Sequence, residues 1–323
     1  MLSRLTRHAG NPWLRAGLLG LVLALCGYGL YSQWPQVASA LARLHWYSIP
    51  LALAAAMAGS ACMMLSWRAI LTDLGSPLAV RASARINFIA QLGKYVPGAV
   101  WALAAQVELS HDYHVPRRRV FASVAMSLVL TLGAGLGLAL VTLPFTSPGV
   151  ARHYWWALAA LPLIAIGLCP PVLGRGLDRL MRSQPLECRP SWRGLRRALA
   201  WNLTGWLLLG IQVWLVLCDL AGLHGTTFLL ALGGYSLAFS TAMLVVVLPG
   251  GIGAREIILI AALSQSLPHG AAVAVALITR VVATVSDLLL GAAGVALGHR
   301  AAARVARGTE LQAGPEPAIS PVQ

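Results

Sequence analysis

Seven apolar runs, each long enough to cross a bilayer as a helix, limit what this chain can become. They cover residues 14–31, 49–67, 120–143, 155–173, 198–220, 226–248 and 271–297. A hydrocarbon core about 30 Å thick takes roughly 20 helical residues. No water is available there to satisfy backbone N–H and C=O groups, so only helices and closed barrels span it. Barrel strands alternate apolar and polar residues over short segments, and these runs do not. The expectation is an all-α polytopic integral membrane protein with about seven to eight transmembrane helices.

Charge supports this class and orients the chain. Only 11% of residues are charged, against about 25% in soluble domains. The formal charge of +14 sits mainly in loops between apolar runs, which fits the positive-inside rule and not nucleic-acid binding. Arg4, Arg7 and Arg15 place the N-terminus in the cytoplasm. A secretory signal starts the same way, but this first run ends in Tyr28, Tyr31 and Trp34, as an interfacial belt does. The segments 68–85 and 174–197 are the basic cytoplasmic loops; the latter is expected to hold an amphipathic interfacial helix and a turn at 185–190. Residues 32–48 and 144–153 read as outer loops. Residues 1–300 form one integral membrane domain, and 301–323 a disordered cytoplasmic tail. The inner (plasma) membrane is the expected location.

Two interruptions break this pattern. In residues 247–256 an apolar run meets Pro249, Gly250, Gly251 and Gly253, followed at once by Arg255 and Glu256. In residues 91–101 the chain reads Gln91-Leu92-Gly93-Lys94-Tyr95-Val96-Pro97-Gly98-Ala99-Val100-Trp101. Proline removes a backbone donor and glycine admits positive φ, so a helix breaks at both places. Backbone groups freed at membrane depth survive only when buried in protein or facing a wet cavity. Residues 86–109 end at the basic stretch around Arg117, Arg118 and Arg119, so a re-entrant hairpin is preferred there over a kinked span. For residues 252–266 the charge rule favours a short eighth pass, which puts the tail in the cytoplasm. Aligning the two Pro-Gly pairs relates halves at about 14–173 and 198–297, a weak internal repeat. Paired interruptions of this kind point to a transporter's binding site near mid-membrane.

The motifs resemble those of a known family. Leu248-Pro-Gly-Gly-Ile-Gly-Ala-Arg-Glu256 is similar to the P-G-G-(L/I)-G-x-R-E motif of the lysylphosphatidylglycerol synthase transmembrane family, also called flippase-like. Leu92-Gly-Lys-Tyr-Val-Pro-Gly-Ala-Val-Trp101 resembles its G-K-Y-(I/L)-P-G-x-x-W motif, and Arg280 resembles its late arginine. The resemblance covers residues 14–298. Ala104-Ala105-Gln106 departs from it, because many members carry an arginine there. The resemblance implies a lipid flippase or transporter that moves a phosphate-bearing lipid between leaflets: an aminoacyl-phospholipid, an isoprenoid-linked sugar or a hopanoid-type lipid. With only a short tail after the membrane domain, the chain resembles the stand-alone form that lacks the soluble aminoacyl-transferase domain.

The candidate substrate-binding residues are Lys94, Tyr95, Pro97, Gly98, Trp101, Pro249, Gly250, Gly251, Gly253, Arg255, Glu256 and Arg280. Glu256 and Asp287 are the candidates for proton coupling. Charge within the membrane costs about 2.5–3.5 kcal/mol per residue at a helix centre, so such groups default to function. Arg280 and Asp287 lie seven residues apart, too far along one helix for a direct pair. The expected arrangement pairs Arg280 with Glu256 and leaves Arg255 and Lys94 free for a lipid phosphate. Taken alone, Lys94 and Glu108 could instead snorkel to the interface.

Other chemistries lack their residues. Lys94 is the one lysine and residue 89 is Ile, so there is no Walker A motif and no ATP-driven pumping within this chain. No H-E-x-x-H or D-x-D occurs, the five cysteines are scattered without C-x-x-C spacing, and the histidines fall in loops. The expectation is no enzyme, no catalytic residue, no metal and no cofactor. The expected partners are membrane lipids and a lipid-synthesising enzyme. Two alternatives remain: a non-transporting accessory or scaffold subunit of a lipid or envelope-polysaccharide pathway, and a membrane-embedded lipid-modifying enzyme.

Overall fold

In the computed structural model, residues 38, 42–95, 100–146, 158–180, 189–221, 225–244 and 253–312 are described. The elements are α1 (Ser48–Asp73), α2 (Val80–Leu92) with a 3-10 turn (Gly93–Tyr95), α3 (Val100–His111) and α4 (Arg117–Thr142) with a 3-10 turn (Leu143–Phe145). They continue as α5 (Ala160–Gly167), α6 (Pro170–Leu180), α7 (Trp192–Ala221), α8 (Gly225–Leu244), α9 (Ala254–Leu263) and α10 (His269–Gln312). Every regular element among the described residues is helical, as the apolar runs require. Among the described residues five helices are long and apolar enough to cross a membrane: α1, α4, α7, α8 and α10. A sixth span is added if the bent pair α5 and α6 counts as one. The first apolar run, 14–31, lies outside the described residues.

The antiparallel pair of α1 and α7 forms the backbone of the bundle. Gly59 and Gly205 face each other so closely that a Cβ on Gly59 would sit 2.9 Å from Leu209 Cγ and 3.2 Å from the Gly205 carbonyl oxygen. This is the close approach that the small residues of 52–61 promise, and dispersion contacts there replace the hydrophobic drive that lipid does not supply. Polar groups tie neighbouring helices together: Asn202 Nδ2 donates to Thr131 Oγ1 at 2.9 Å, and Gln212 Nε2 to the Thr279 carbonyl at 3.1 Å.

The bundle has two ends of different character. At one, Asp73 accepts hydrogen bonds from Ser191, and Arg119 donates to the Gly75 carbonyl. At the other, His45 contacts Asp219 through its backbone and its ring. The arginines of 68–85, 117–119 and 189–197 gather at the first end, called here the basic end. α10 starts at the opposite end and finishes at the basic one, where Gly298 lies against Arg85.

Two helical hairpins pack on α10. α2 runs antiparallel to it, with Leu92 against Gly291, Ile89 against Gly294 and Arg85 against Gly298. α3 then doubles back. Gly93 touches the Ala102 backbone near the tip, and at the base Arg85 reaches Asp112 at 3.4 Å and Tyr113 at 3.2 Å. In the second hairpin α9 returns along α8, with Gly234 beside Leu259 and Ala262. α9 has ten residues, about 15 Å of rise, which is half a bilayer. That helix by itself is too short to supply the crossing expected of 252–266, whose first residue lies outside the described residues. α10 starts at the end where α8 began and runs to the basic end.

Two further expectations change. The run 155–173 is not one straight span: α5 and α6 meet at 63°, where Pro170 and Pro171 open a new helix, a position proline favours. The amphipathic helix expected within 174–197 is α6, and it starts at Pro170. Its Leu173 and Leu177, four apart, are buried, while Arg175 and Arg179 are exposed on the other face. α10 runs on to Gln312, past the start of the tail expected from 301, and residues 313–323 lie outside the described residues.

Candidate functional site

Arg280 and Asp287 mark the middle of α10's apolar stretch. Each lies eleven residues, about 16 Å of rise, from the nearer end of the span His269–Gly298. The two hairpins approach this midsection from opposite ends, and each brings its charged tip to one of the two residues.

From the first hairpin, Lys94 Nζ lies 2.7 Å from Asp287 Oδ2, and the Tyr95 hydroxyl donates to the same oxygen at 2.6 Å. Lys94 Nζ also stands 5.5 Å from the Tyr95 ring centroid. The break after α2 leaves these residues on a 3-10 turn that projects them beyond the helix end. From the second hairpin, Arg280 Nε lies 3.5 Å from Glu256 Oε1. Glu256 Oε2 accepts a 2.6 Å hydrogen bond from the Gly253 backbone N–H, so the carboxylate also caps α9. Gly253 takes φ 90°, which a Cβ would resist.

Arg255 behaves differently. Its side chain is buried at 9% exposure. Nη2 donates a hydrogen bond to the Tyr235 hydroxyl. The guanidinium stacks 4.5 Å from the Tyr235 ring and 5.3 Å from that of Phe239. Trp206 backs both rings edge-on, at 6.4 and 5.4 Å. No carboxylate among the described residues pairs with Arg255.

The expected pair of Arg280 and Glu256 forms. The expectation that Lys94 and Arg255 stand free does not hold. Lys94, half-buried, is held by Asp287, because an ammonium partly withdrawn from water favours a counter-ion and Asp287 is within reach. Arg255 uses aromatic faces, an arrangement open to a weakly hydrated planar cation. Arg280 and Asp287 do not pair with each other; they divide between the hairpins. Glu108 does reach the basic end, where it meets Arg117 at 3.6 Å with both side chains exposed.

Trp101 sits in the first turn of α3 with its side chain 42% exposed, outside the buried cluster. Pro97, Gly98, Pro249, Gly250 and Gly251 lie outside the described residues. Sequence reasoning missed Tyr235 and Phe239. Their signal was present: a tyrosine and a phenylalanine four apart, beside Gly233-Gly234, in the span that leads into the break.

The five charged side chains Lys94, Arg255, Arg280, Glu256 and Asp287 carry three positive and two negative charges, leaving one positive charge in excess. The excess cation is an arginine, whose planar fork suits phosphate oxygens. Among the described residues no group of three or more His, Cys, Asp or Glu could hold a metal ion. The family model described as the lysylphosphatidylglycerol synthase TM region matches residues 17–291 of the chain. No curated protein matches it.

Proposed function

This chain belongs to the lysylphosphatidylglycerol synthase TM region family, and from that premise we propose that it moves a phosphate-bearing lipid between membrane leaflets. One observation carries the reading: a buried arginine with no carboxylate partner among the described residues, in a cluster with one surplus positive charge midway along a membrane-spanning helix. Such a site is costly to build for stability alone, and a lipid phosphodiester supplies the single negative charge that balances it.

The basic end faces the cytoplasm by the positive-inside rule. The hairpin of α2 and α3 then re-enters from the cytoplasm, and that of α8 and α9 from the opposite side. Lys94 of the first and Glu256 of the second meet α10 near mid-depth, where a headgroup has the furthest to travel through hydrocarbon. Aminoacyl-phospholipids, isoprenoid-linked sugars and phosphate-bearing hopanoid-type lipids all present the required group. Asp287 and Glu256 are the carboxylates through which protons would couple, since protonating Asp287 releases Lys94. The chain performs no chemistry on the lipid. It resides in the plasma membrane and receives its cargo from a lipid-synthesising enzyme.

A second reading is a scaffold for such an enzyme. It is favoured by the completeness of the two ion pairs, which fasten both hairpins to α10. Reconstitution separates the readings. Purified protein in liposomes is expected to speed the exchange of a fluorescent anionic phospholipid between leaflets. Conversion of the lipid would instead indicate an enzyme, and neither effect would indicate a scaffold.

A further inference from the structure

A second candidate lipid site lies away from the midsection charges, at the basic end. The elbow between α5 and α6 and the approach to α7 enclose a cleft of about 450 Å³, within the size range of ligand pockets. Pro170, Gly174 and Arg175 of α6 form one wall; Arg189, Pro190 and Trp192 form the other. The proline rings and the indole supply apolar surface, and Arg175 and Arg189 the charge. Asp178 also lines the cleft and stands 3.6 Å from Arg189, so two arginines face one carboxylate. Leu173 and Leu177 pack against Ile70, Leu74, Met126 and Leu195, which fixes the arginine-bearing wall to the bundle.

Two features narrow the ligand. The N-terminus of α7 is already occupied: Asp73 accepts from Ser191 N–H at 2.7 Å and from its hydroxyl at 2.5 Å, and Gly194 N–H donates to Ser191 Oγ at 3.0 Å. An anion in the cleft must therefore be held by the arginine forks. The same elbow also presents a lipid-facing apolar surface, with Leu163 72% and Ile166 57% exposed. A free phosphate satisfies the arginines and ignores that surface. A zwitterionic phospholipid satisfies the surface and brings a cation against the arginines. We propose that this cleft binds an anionic glycerophospholipid from the cytoplasmic leaflet, with the phosphate between Arg175 and Arg189 and an acyl chain along α5. Only the assignment to the cytoplasmic leaflet shares its footing with the transport reading.

The test uses purified full-length protein and three probes: dioctanoyl phosphatidylglycerol, dioctanoyl phosphatidylcholine and glycerol phosphate. Native mass spectrometry and thermal unfolding read the binding, because a ligand specific to the folded state raises the unfolding midpoint. Phosphatidylglycerol is expected to bind at least about tenfold more tightly than either other probe. In an R255A background, which removes the midsection arginine as a second seat for the same probe, R175A/R189A is expected to lose that preference, and R175K/R189K, which keeps charge without the fork, to retain part of it. R255A is expected to keep the binding at this cleft, so a failure of the transport reading would leave this result standing. Equal binding of phosphatidylcholine, equal binding of glycerol phosphate, or full retention by a folded R175A/R189A would each overturn the proposal.

Discussion

The two hairpins solve one problem in different ways. Each brings a cation to the middle of α10. The first neutralises its cation on the spot: Lys94 meets Asp287 at 2.7 Å, with Tyr95 on the same carboxylate oxygen. The second carries two adjacent charges and divides them. Glu256 satisfies Arg280 and caps its own helix, while Arg255 turns to the faces of Tyr235 and Phe239. An ion pair fastens a hairpin in place; a stacked guanidinium is held in position with hydrogen-bonding capacity to spare. Both hairpins are fastened by an ion pair; on the proposed reading the second also offers Arg255 as the receptor.

That contrast can be broken most severely at Glu256. E256R sets three arginines side by side and removes the cap of α9, and should cost about 3–5 kcal/mol or prevent insertion. E256R/R280E should recover part of the loss, read as folded yield and thermal stability in detergent. No recovery would separate Glu256 from Arg280. D287N should come next, at about 3 kcal/mol, because it strands the Lys94 ammonium. Adding K94M to it should restore stability, and a double-mutant cycle measures the coupling directly.

R255K should sharpen the contrast. It preserves the charge, loses the planar fork and the stacking, and should slow leaflet exchange of an anionic phospholipid by about tenfold or more while lowering stability by about 1 kcal/mol. A residue that only fastens its hairpin would show the opposite balance, with stability falling and exchange preserved in the molecules that fold. The smallest effect belongs to Y95F. Loss of one hydrogen bond to a carboxylate should lower stability by about 1.5 kcal/mol, and exchange should persist.

Much of this arrangement was legible in local chemistry. Proline and glycine at 97–98 and 249–253 must break helices, and a carboxylate three residues into a new helix is placed to cap it. Arg280 and Asp287 are too far apart on one helix to pair, so partners elsewhere were required, and Glu256 is one. The alanines and glycine of 52–61 announced a close helix contact, which Gly59 and Gly205 make. The misses are long-range or depend on direction. Tyr95 and Asp287 are separated by 192 residues, and no spacing rule connects them. The aromatic seat of Arg255 depends on α9 running back along α8, whereas the charge rule counted passes and could not distinguish two short crossings from one hairpin. The bend between α5 and α6 was hidden because Pro170-Pro171 sits inside an otherwise continuous apolar run.

The opposed entry of the two hairpins is the claim on which the rest stands, and impermeant thiol labelling tests it most directly. In a background with all five cysteines replaced, D112C reports the base of the first hairpin and S266C that of the second. The account predicts that in intact cells S266C reacts with the reagent and D112C does not, and that D112C reacts once the membrane is opened. Labelling of both positions from the same side would contradict it.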